Sequence, residues 1–198
     1  MEFYNSTAND EWIIKDIYPN KKDGVFVEAG ACGGFRGSST YNLEQLGWTG
    51  FLFEPNTEWY ERCVKRRPNS KVFNYCLGFD EEVDYIQFEQ RGRSTTKPYS
   101  HHFKLMETMP YTILTKKSVN LSTIIKDCEI DYLALDTNGN EYDILKTVRG
   151  CNINVISVEA TQINLANIRN LLYDQGFDEV TNPYNKSKKI VEYYFVRK

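Results

Sequence analysis

The chain has 198 residues, of which 41% are hydrophobic, and a formal net charge of −3. This length and apolar content suit one folded domain, which we expect to span residues 1–198. The negative charge argues against nucleic acid or an anionic membrane surface as the partner. No signal peptide is recognisable, and no apolar run approaches the roughly 18 residues of a spanning helix, so we expect a cytoplasmic protein without membrane insertion.

Five cysteines stand at positions 32, 63, 76, 128 and 151. Their odd number argues against a disulfide framework, and the absence of C-x-x-C spacing argues against a zinc site. We therefore expect a reducing compartment.

The first 23 residues predict an N-terminal helix. Apolar side chains recur there at helical spacing before Pro19: Trp12, Ile13, Ile14, Ile17 and Tyr18. We expect this helix to pack on the sheet that follows it.

Residues 24–55 predict a strand, a glycine-rich turn, a helix and a second strand. The first strand is the apolar run Val25–Val27, which precedes Glu28, and the second is Phe51–Phe53, which precedes Glu54. Such a βαβ unit of roughly 30 residues is where doubly wound sheets bind nucleotide-like cofactors. Both carboxylates are therefore candidates for cofactor binding.

The glycine-rich turn discriminates between two cofactors. A dinucleotide site has the pattern G-x-G-x-x-G, but Ala31 replaces the second glycine, and Glu28 would repel a pyrophosphate. The same carboxylate would attract the sulfonium and ammonium groups of S-adenosylmethionine. Glu54 suits the ribose hydroxyls of either cofactor. The turn therefore favours S-adenosylmethionine over NAD, and a tight turn without a ligand is the remaining alternative.

Three elements are predicted between residues 56 and 90. A helix capped by Asn56 ends near Pro68, and Lys71–Leu77 forms a third strand whose end lies beside the cofactor crevice. The alternating stretch Val83–Gln90 is typical of an exposed or edge strand.

Residues 91–117 lack clear periodicity, and we predict a loop that covers the substrate. His101 and His102 are candidates for acid–base work or metal ligation, although two solvated loop histidines are an equal alternative. Three basic side chains could bind a phosphorylated or nucleotide-linked sugar or simply be solvated: Arg91, Arg93 and Lys97.

A second βαβ unit follows. Ile130–Asp136 and Asn152–Glu159 are apolar strands that each end in an acid, and a predicted helix lies between them. Ligands bind at the carboxyl ends of the strands in an open α/β sheet. One such acid could simply face a helix dipole, but four successive strand ends carry one: Glu28, Glu54, Asp136 and Glu159.

The C-terminal part predicts an amphipathic helix over residues 163–175 and then two strands. These strands, Phe177–Thr181 and Ile190–Arg197, flank a polar stretch and form an antiparallel pair. A parallel α/β core that ends in such a hairpin is the layout of the seven-stranded methyltransferase sheet.

Three motifs in order resemble the FkbM family of S-adenosylmethionine-dependent methyltransferases, and the resemblance covers approximately Gly24 to Glu159. They are FVEAGACGGFRGSSTYNLEQLGWTGFLFEPN, RPNSKVFNYCLG and IDYLALDTNGNEYDIL. The resemblance implies a Rossmann-like α/β fold: a mostly parallel seven-stranded sheet with an antiparallel C-terminal hairpin and helices on both faces. It also implies methylation of hydroxyl groups on sugars or polyketide-type products.

The resemblance also implies roles for individual residues. Asp136 matches the first acid of the family's D-V-E-G-x-E motif, Gly139 its glycine and Glu141 its last acid, whereas Thr137 and Asn138 depart from it. The first turn would line the methionine part of the cofactor, and Glu54 would hold the ribose. The predicted cofactor-binding set is Glu28, Gly30, Ala31, Gly34, Glu54, Pro55 and Leu77.

The predicted reaction is direct methyl transfer to a hydroxyl of a sugar, either in a glycan or linked to a nucleotide, or of a similar small molecule. Asp136 is the first candidate for the base, with Glu159 as its partner and His101 or His102 as the alternative. The two carboxylates could instead bind Mg²⁺, which prefers oxygen ligands. The alternatives to this function are a non-catalytic Rossmann-fold binding protein and an NAD-type oxidoreductase.

Overall fold

A computed structural model describes residues 1–89, 94–98, 100–125, 129–148, 150–160, 162–187 and 192–198. The strands are β1 (Val25–Ala29), β2 (Thr49–Phe53), β3 (Ser70–Phe73), β4 (Cys76–Leu77), β5 (Glu81–Phe88), β6 (Tyr111–Val119), β7 (Glu129–Leu135), β8 (Asn152–Glu159), β9 (Phe177–Val180) and β10 (Glu192–Arg197). The helices are α1 (Asn9–Trp12), α2 (Tyr41–Gln45), α3 (Thr57–Arg66), α4 (Ser100–Thr108), α5 (Leu121–Ile124), α6 (Glu141–Thr147) and α7 (Gln162–Asp174), and a π-helical turn, Ile13–Ile17, continues α1.

Seven strands form the main sheet in the order β3-β2-β1-β7-β8-β10-β9. The first five in this order run parallel, while β10 is antiparallel to both β8 and β9. The predicted fold class is therefore confirmed. Because β2 and β7 flank β1 on opposite sides, the chain changes direction across the sheet at β1, which is where open α/β sheets bind ligands.

Helices cover the main sheet on both faces. Phe26 of β1 lies in one apolar cluster with Trp12 and Leu43, whereas its neighbour Val27 lies in another with Ile144 and helix α7. Successive side chains of a strand point to opposite faces, so a central parallel strand needs apolar residues on both. This explains why β1 and β7 contain near-continuous apolar runs rather than an alternating pattern.

A second, three-stranded sheet has the order β4-β6-β5. The predicted strand Val83–Gln90 corresponds to β5, which pairs antiparallel with β6 from Glu81 opposite Ser118 to Phe88 opposite Tyr111. The prediction of a loop over residues 91–117 is therefore wrong in its secondary structure, because α4 and most of β6 lie there. Residues 90–93 and 99 lie outside the described residues, and the substrate-covering role stays a prediction.

Two further predictions need correction. The single third strand Lys71–Leu77 divides into β3, in the main sheet, and β4, in the small sheet. Asn74 lies at the division, and its side-chain amide donates hydrogen bonds to the carbonyls of Glu54 and Pro55. The N-terminal helix is also shorter than predicted, since helical structure spans only residues 9–17.

Two findings concern the expectations for the cysteines and the membrane. None of the four cysteines in the described part of the chain forms a disulfide with another of the four, and Cys128 lies outside that part. Across the same part, each helix is too short or too polar to cross a bilayer.

Candidate active site

A cavity of about 320 Å³ opens at the carboxyl ends of β1, β2 and β7. Ligand pockets in proteins have volumes of about 300–1,000 Å³, so the space suits a small molecule. Five of the predicted site residues line this main cavity: Gly30, Glu54, Pro55, Leu77 and Asp136. The structure therefore brings together acids from two strand ends that are 82 residues apart in the sequence.

Gly30 forms the floor where β1 and β7 separate. The Asp136 amide donates a hydrogen bond to the Ala29 carbonyl at 3.1 Å, and Gly30 follows with a φ of +85°. A Cβ atom on Gly30 would lie 1.9 Å from the Asp136 carbonyl oxygen. Only glycine fits at this position, because both the φ angle and the approach of the two backbones exclude a side chain.

Glu54 holds its carboxylate in a fixed position at the end of β2. One oxygen accepts a hydrogen bond from the Cys32 amide and the other from the Asn56 amide, both at 2.8 Å. Burial raises the pKa of Glu54 to about 7 against the opposing effect of these amides. Each carboxylate oxygen has a further lone pair, so two neighbouring hydroxyl groups could donate to it.

Asp136 and Glu159 lie within hydrogen-bonding reach of each other across β7 and β8. Desolvation where the two carboxyls face each other raises the pKa of both, and the contact with Glu159 raises that of Asp136 further. Two carboxyls in this arrangement share a proton, since both cannot ionise freely. Asp136 is accessible and lines the main cavity, whereas Glu159 is half-buried behind it.

The predicted magnesium site does not fit this pair. Asp136 and Glu159 use their facing oxygens on each other, and the described part of the chain contains no group of three or more His, Cys, Asp or Glu side chains that could hold a metal ion. Mg²⁺ requires near-octahedral oxygen coordination. The function of the site is therefore derived without a metal.

Glu28 holds the turn after β1. Its two oxygens accept hydrogen bonds from the Ser38 hydroxyl, the Ser39 amide and the Thr40 hydroxyl at 2.6–2.8 Å. The fully buried Arg67 guanidinium lies 3.7 Å away. Glu28 lines a second cavity, of about 110 Å³, rather than the main one.

Ala31 and Gly34 were predicted to bind the cofactor, but the structure places neither in the wall of the two cavities. Ala31 is 1% exposed and belongs to the core. A Cβ atom on Gly34 would lie 2.8 Å from the Cys63 sulfur, so this glycine permits close packing of the turn on α3. After Gly30 the turn bends towards α3, so Ala31 and Gly34 lie away from the two cavities.

The two histidines lie on helix α4, not on an extended loop. His102 is fully buried, and its ring stacks on Phe88 at a centroid distance of 6.0 Å. Phe88 lines the main cavity but His102 does not, so the structure does not support His102 as the base. The side chain of His101 lies outside the described residues. The same is true of Arg91 and Arg93, while Lys97 forms an ion pair with Asp143.

The turn after β7 explains the departures from the family motif. Glu141 accepts hydrogen bonds from the amides of Thr137 and Gly139 at 2.9–3.1 Å, so this acid holds the turn that carries Asp136. Asn138 adopts a φ of +58°, which asparagine tolerates better than glutamate does. Asn140 donates to the Leu77 carbonyl at 3.0 Å and so joins this turn to β4.

The sequence interpretation missed the wall supplied by the small sheet. Three residues that alternate along or just after β5, Tyr85, Gln87 and Glu89, line the main cavity. Ser94, Thr95 and Thr96 complete this wall. The alternation of Val83–Gln90 already showed that these side chains share a face, but it did not show what that face covers.

The sequence model of the FkbM methyltransferase domain matches residues 28–179. The chain belongs to the FkbM methyltransferase family. The match confirms the resemblance of the three motifs, and methyl transfer is accordingly the reaction class of this FkbM protein. A sequence search of curated proteins finds no match.

Solved structures with similar folds include the following two proteins. A TehB-like SAM-dependent methyltransferase from Corynebacterium glutamicum has a TM-score of 0.52 and 8% identity, with 100% of this chain and 90% of that chain covered. Fibrillarin from Aeropyrum pernix, solved with natively bound S-adenosyl-L-methionine, has a TM-score of 0.51 and 12% identity, with 98% and 76% covered. At this identity the similarity concerns the fold.

The main cavity of the FkbM protein fits S-adenosylmethionine. Four carboxylates line it, those of Glu54, Glu58, Glu89 and Asp136. A bound sulfonium or ammonium group would favour the ionised forms of these acids, whereas a pyrophosphate would disfavour them. Leu77 and Trp59 provide apolar surface in the same wall, as a nucleoside base requires.

Proposed function

We propose that the protein transfers the methyl group of S-adenosylmethionine to a hydroxyl of a sugar or a similar small molecule. The observation that carries this proposal is the Glu54 carboxylate, held by two backbone amides in a cavity rich in carboxylates. This arrangement suits the paired hydroxyls of a ribose next to a cationic group. The family assignment favours methyl transfer over the NAD-type oxidoreductase alternative.

When bound, S-adenosylmethionine supplies a methyl group that is activated by a sulfonium. Glu54 would hold the ribose, and Pro55 and Leu77, which line the same cavity, would contact the base. The Asp136–Glu159 pair holds one shared proton before the reaction. Asp136 accepts the proton of the acceptor hydroxyl on its cavity-facing oxygen, while the shared proton moves fully to Glu159.

The small sheet supplies the side of the cavity where we place the acceptor. Gln87 and Thr96 offer neutral hydrogen-bonding groups there, and the ring of Phe88 adds apolar surface. Sugars combine hydroxyl groups with apolar ring faces, so this mixture supports a sugar hydroxyl as the methylated group. The same wall also shields the reacting atoms from water, which favours transfer to the acceptor over hydrolysis.

The first experiment is isothermal titration of the purified protein with S-adenosylhomocysteine. We expect micromolar binding, weakened about tenfold or more, or about 1.4 kcal/mol, in Glu54→Gln. The substitution places an NH₂ group against a backbone amide donor and removes the negative charge. Glu61→Gln is the matched control, because it removes the same charge from an exposed position on α3. Equal binding by Glu54→Gln and the unaltered protein would contradict the assigned ribose contact.

Binding of the cofactor alone does not identify the acceptor. Incubation with methyl-labelled S-adenosylmethionine and a panel of neutral sugars, nucleotide-linked sugars and RNA, followed by mass spectrometry, tests this part. Label on a sugar oxygen supports the proposal, while label on RNA or on carbon changes the acceptor class. Cofactor binding without transfer to any acceptor would favour the non-catalytic alternative.

A further inference from the structure

We infer that Gln87 selects the acceptor: its side-chain amide binds two neighbouring hydroxyls of an uncharged saccharide and disfavours a sugar that carries a phosphate beside the methylated ring. This inference rests on the proposed function and deepens it, because it concerns the acceptor side of the same cavity. The sequence leaves glycans and nucleotide-linked sugars open as acceptors. The surroundings of Gln87 favour the glycan.

The position of Gln87 on β5 directs its side chain to the main cavity. Tyr85, Gln87 and Glu89 alternate along or just after this strand and line that cavity. Successive side chains of a strand point to opposite faces. Ile86 is accordingly buried on the other face, where it packs with Leu105 of α4. Gln87 itself is only half-buried, so its amide is open to a ligand.

The Gln87 side-chain amide forms no hydrogen bond with any group in the described part of the chain. Neighbouring polar side chains of the cavity wall already have partners. The Thr95 hydroxyl donates to the Asn138 carbonyl at 2.8 Å, and the Asn140 amide donates to the Leu77 carbonyl at 3.0 Å. Polar groups that are shielded from bulk water are normally paired. The Gln87 amide is therefore a group that a bound acceptor can satisfy.

The chemistry of a primary amide matches a pair of hydroxyls. Its carbonyl oxygen accepts hydrogen bonds and its NH₂ group donates them. One hydroxyl of a sugar ring can donate to the Gln87 carbonyl while its neighbour accepts from the NH₂ group. A phosphate oxygen that carries no proton only accepts, so it leaves the carbonyl unpaired. Sites built to bind a hydroxyl reject ligands that lack it, because their own polar groups then lose a partner.

The charges around Gln87 also oppose a phosphate. Glu89 follows two residues later on the same face, roughly 7 Å farther along an extended strand, and its carboxylate repels an anion. None of the described residues that line the main cavity is Lys, Arg or His. Lys97, which follows the wall segment 94–96, pairs with Asp143. A phosphate beside Gln87 would therefore lie near a carboxylate, with no cation among the described wall residues to neutralise it.

The test measures methyl transfer to matched acceptors that differ in the group at the anomeric carbon. Methyl glycosides of common hexoses and 6-deoxyhexoses are each paired with the corresponding sugar 1-phosphate and incubated with methyl-labelled S-adenosylmethionine. We expect kcat/KM for the uncharged member of a pair to exceed that for the phosphate about tenfold or more. This comparison uses the unaltered protein alone.

The second arm of the test removes the amide. Gln87→Leu keeps most of the side-chain volume and removes both hydrogen-bonding groups. We expect KM for the methylated glycoside to rise about tenfold or more while kcat changes by less than about threefold, because Gln87 contacts the acceptor away from the reacting oxygen. S-adenosylhomocysteine binding, measured calorimetrically, should change by less than about twofold. Gln45→Leu is the matched control and should change neither, since Gln45 is exposed on α2 and lies outside the cavity wall.

The outcomes separate the inference from the proposed function. If only the phosphorylated sugars are methylated, or if Gln87→Leu leaves KM for the glycosides unchanged, the inference is wrong and the proposed function stands. If no sugar in either set is methylated, the sugar acceptor of the proposed function fails and the inference falls with it. Should Gln87→Leu fail to fold, the comparison of each glycoside with its phosphate decides, and equal kcat/KM values would overturn the inference.

Discussion

Gly30 is the single residue whose replacement the structure forbids most clearly. In Gly30→Ala the new methyl group would meet the Asp136 carbonyl at 1.9 Å while the backbone kept a φ of +85°. The left-handed conformation alone costs about 1–2 kcal/mol for a residue with a side chain. Separating β1 from β7 adds to this, so we expect the free energy of unfolding in urea to fall by at least about 3 kcal/mol.

Gly176→Ala is the matched control for this prediction. Gly176 has nearly the same φ, +82°, but nothing lies within 4 Å of the position that a Cβ would take. We expect the free energy of unfolding of Gly176→Ala to fall only by the cost of the left-handed conformation, about 1–2 kcal/mol. Equal losses in the two variants would show that the approach of β1 to β7 costs nothing and would contradict the assigned role of Gly30.

Glu28 and Glu54 show what a sequence pattern can and cannot predict about single residues. Both acids follow an apolar strand, and the pattern correctly predicts that both lie at one edge of the sheet. Glu28 accepts three hydrogen bonds from residues 38–40. Glu54 accepts hydrogen bonds from two backbone amides and faces the main cavity. The path of the turn determines this difference, and glycine-rich sequences do not specify that path.

Secondary-structure elements also differ in how well the sequence predicts them. The central strands β1, β7 and β8 were predictable because each contains an apolar run whose composition reflects burial on both faces. β6 was missed because Tyr111–Val119 is largely exposed, and its strand conformation depends on pairing with β5 about 30 residues earlier. Such long-range pairing leaves little trace in local composition.

The segment 94–98 is held against the rest of the site by few contacts. The backbone of Thr95 pairs with that of Ile86, and its hydroxyl donates to the Asn138 carbonyl at 2.8 Å. Thr95→Val removes this hydrogen bond and the one that the hydroxyl accepts from the Lys97 amide, and it keeps the shape of the side chain. A buried hydrogen bond contributes about 0.5–1.5 kcal/mol, so we expect amide exchange in this segment, followed by mass spectrometry, to accelerate about two- to tenfold.

Thr95→Ser serves as the control for this element. Serine keeps the hydroxyl and loses only a methyl group, so exchange in segment 94–98 should remain close to that of the unaltered protein. Exchange in β1 should stay unchanged in both variants, because β1 lies in the centre of the main sheet. Unchanged exchange in Thr95→Val would mean that the backbone pairing with Ile86 and the Lys97–Asp143 ion pair hold the segment without the hydroxyl.

Across the whole molecule, buried carboxyls lower the free energy of unfolding by an amount that depends on pH. Burial raises the pKa of Asp10 to about 6, of Glu54 to about 7 and of Glu192 to about 8. The folded state therefore retains protons that the unfolded chain releases near its ordinary carboxyl pKa of about 4. Because the folded state binds more protons in this range, stability falls as the pH rises from 5 to 8.

Glu192→Gln should reduce this pH dependence. Each fully titrating group contributes a slope of up to about 1.4 kcal/mol per pH unit between its unfolded and folded pKa values. We expect the slope of the unfolding free energy between pH 5 and pH 7.5, measured by urea denaturation, to become shallower by up to that amount. Glutamine can still accept the hydrogen bond from Asn9, so the variant removes the titration while keeping this contact.

Glu179→Gln provides the opposite case within the same chain. Arg169 donates two hydrogen bonds to Glu179, and this contact lowers the pKa of the carboxyl. A lowered pKa contributes stability that is present above the unfolded value and is lost as the pH falls through the folded one. Glu179→Gln should therefore leave the slope of the unfolding free energy between pH 5 and pH 7.5 unchanged. Stability that rose with pH across this range in the unaltered protein would show that the buried carboxyls are ionised in the fold and find compensating partners there.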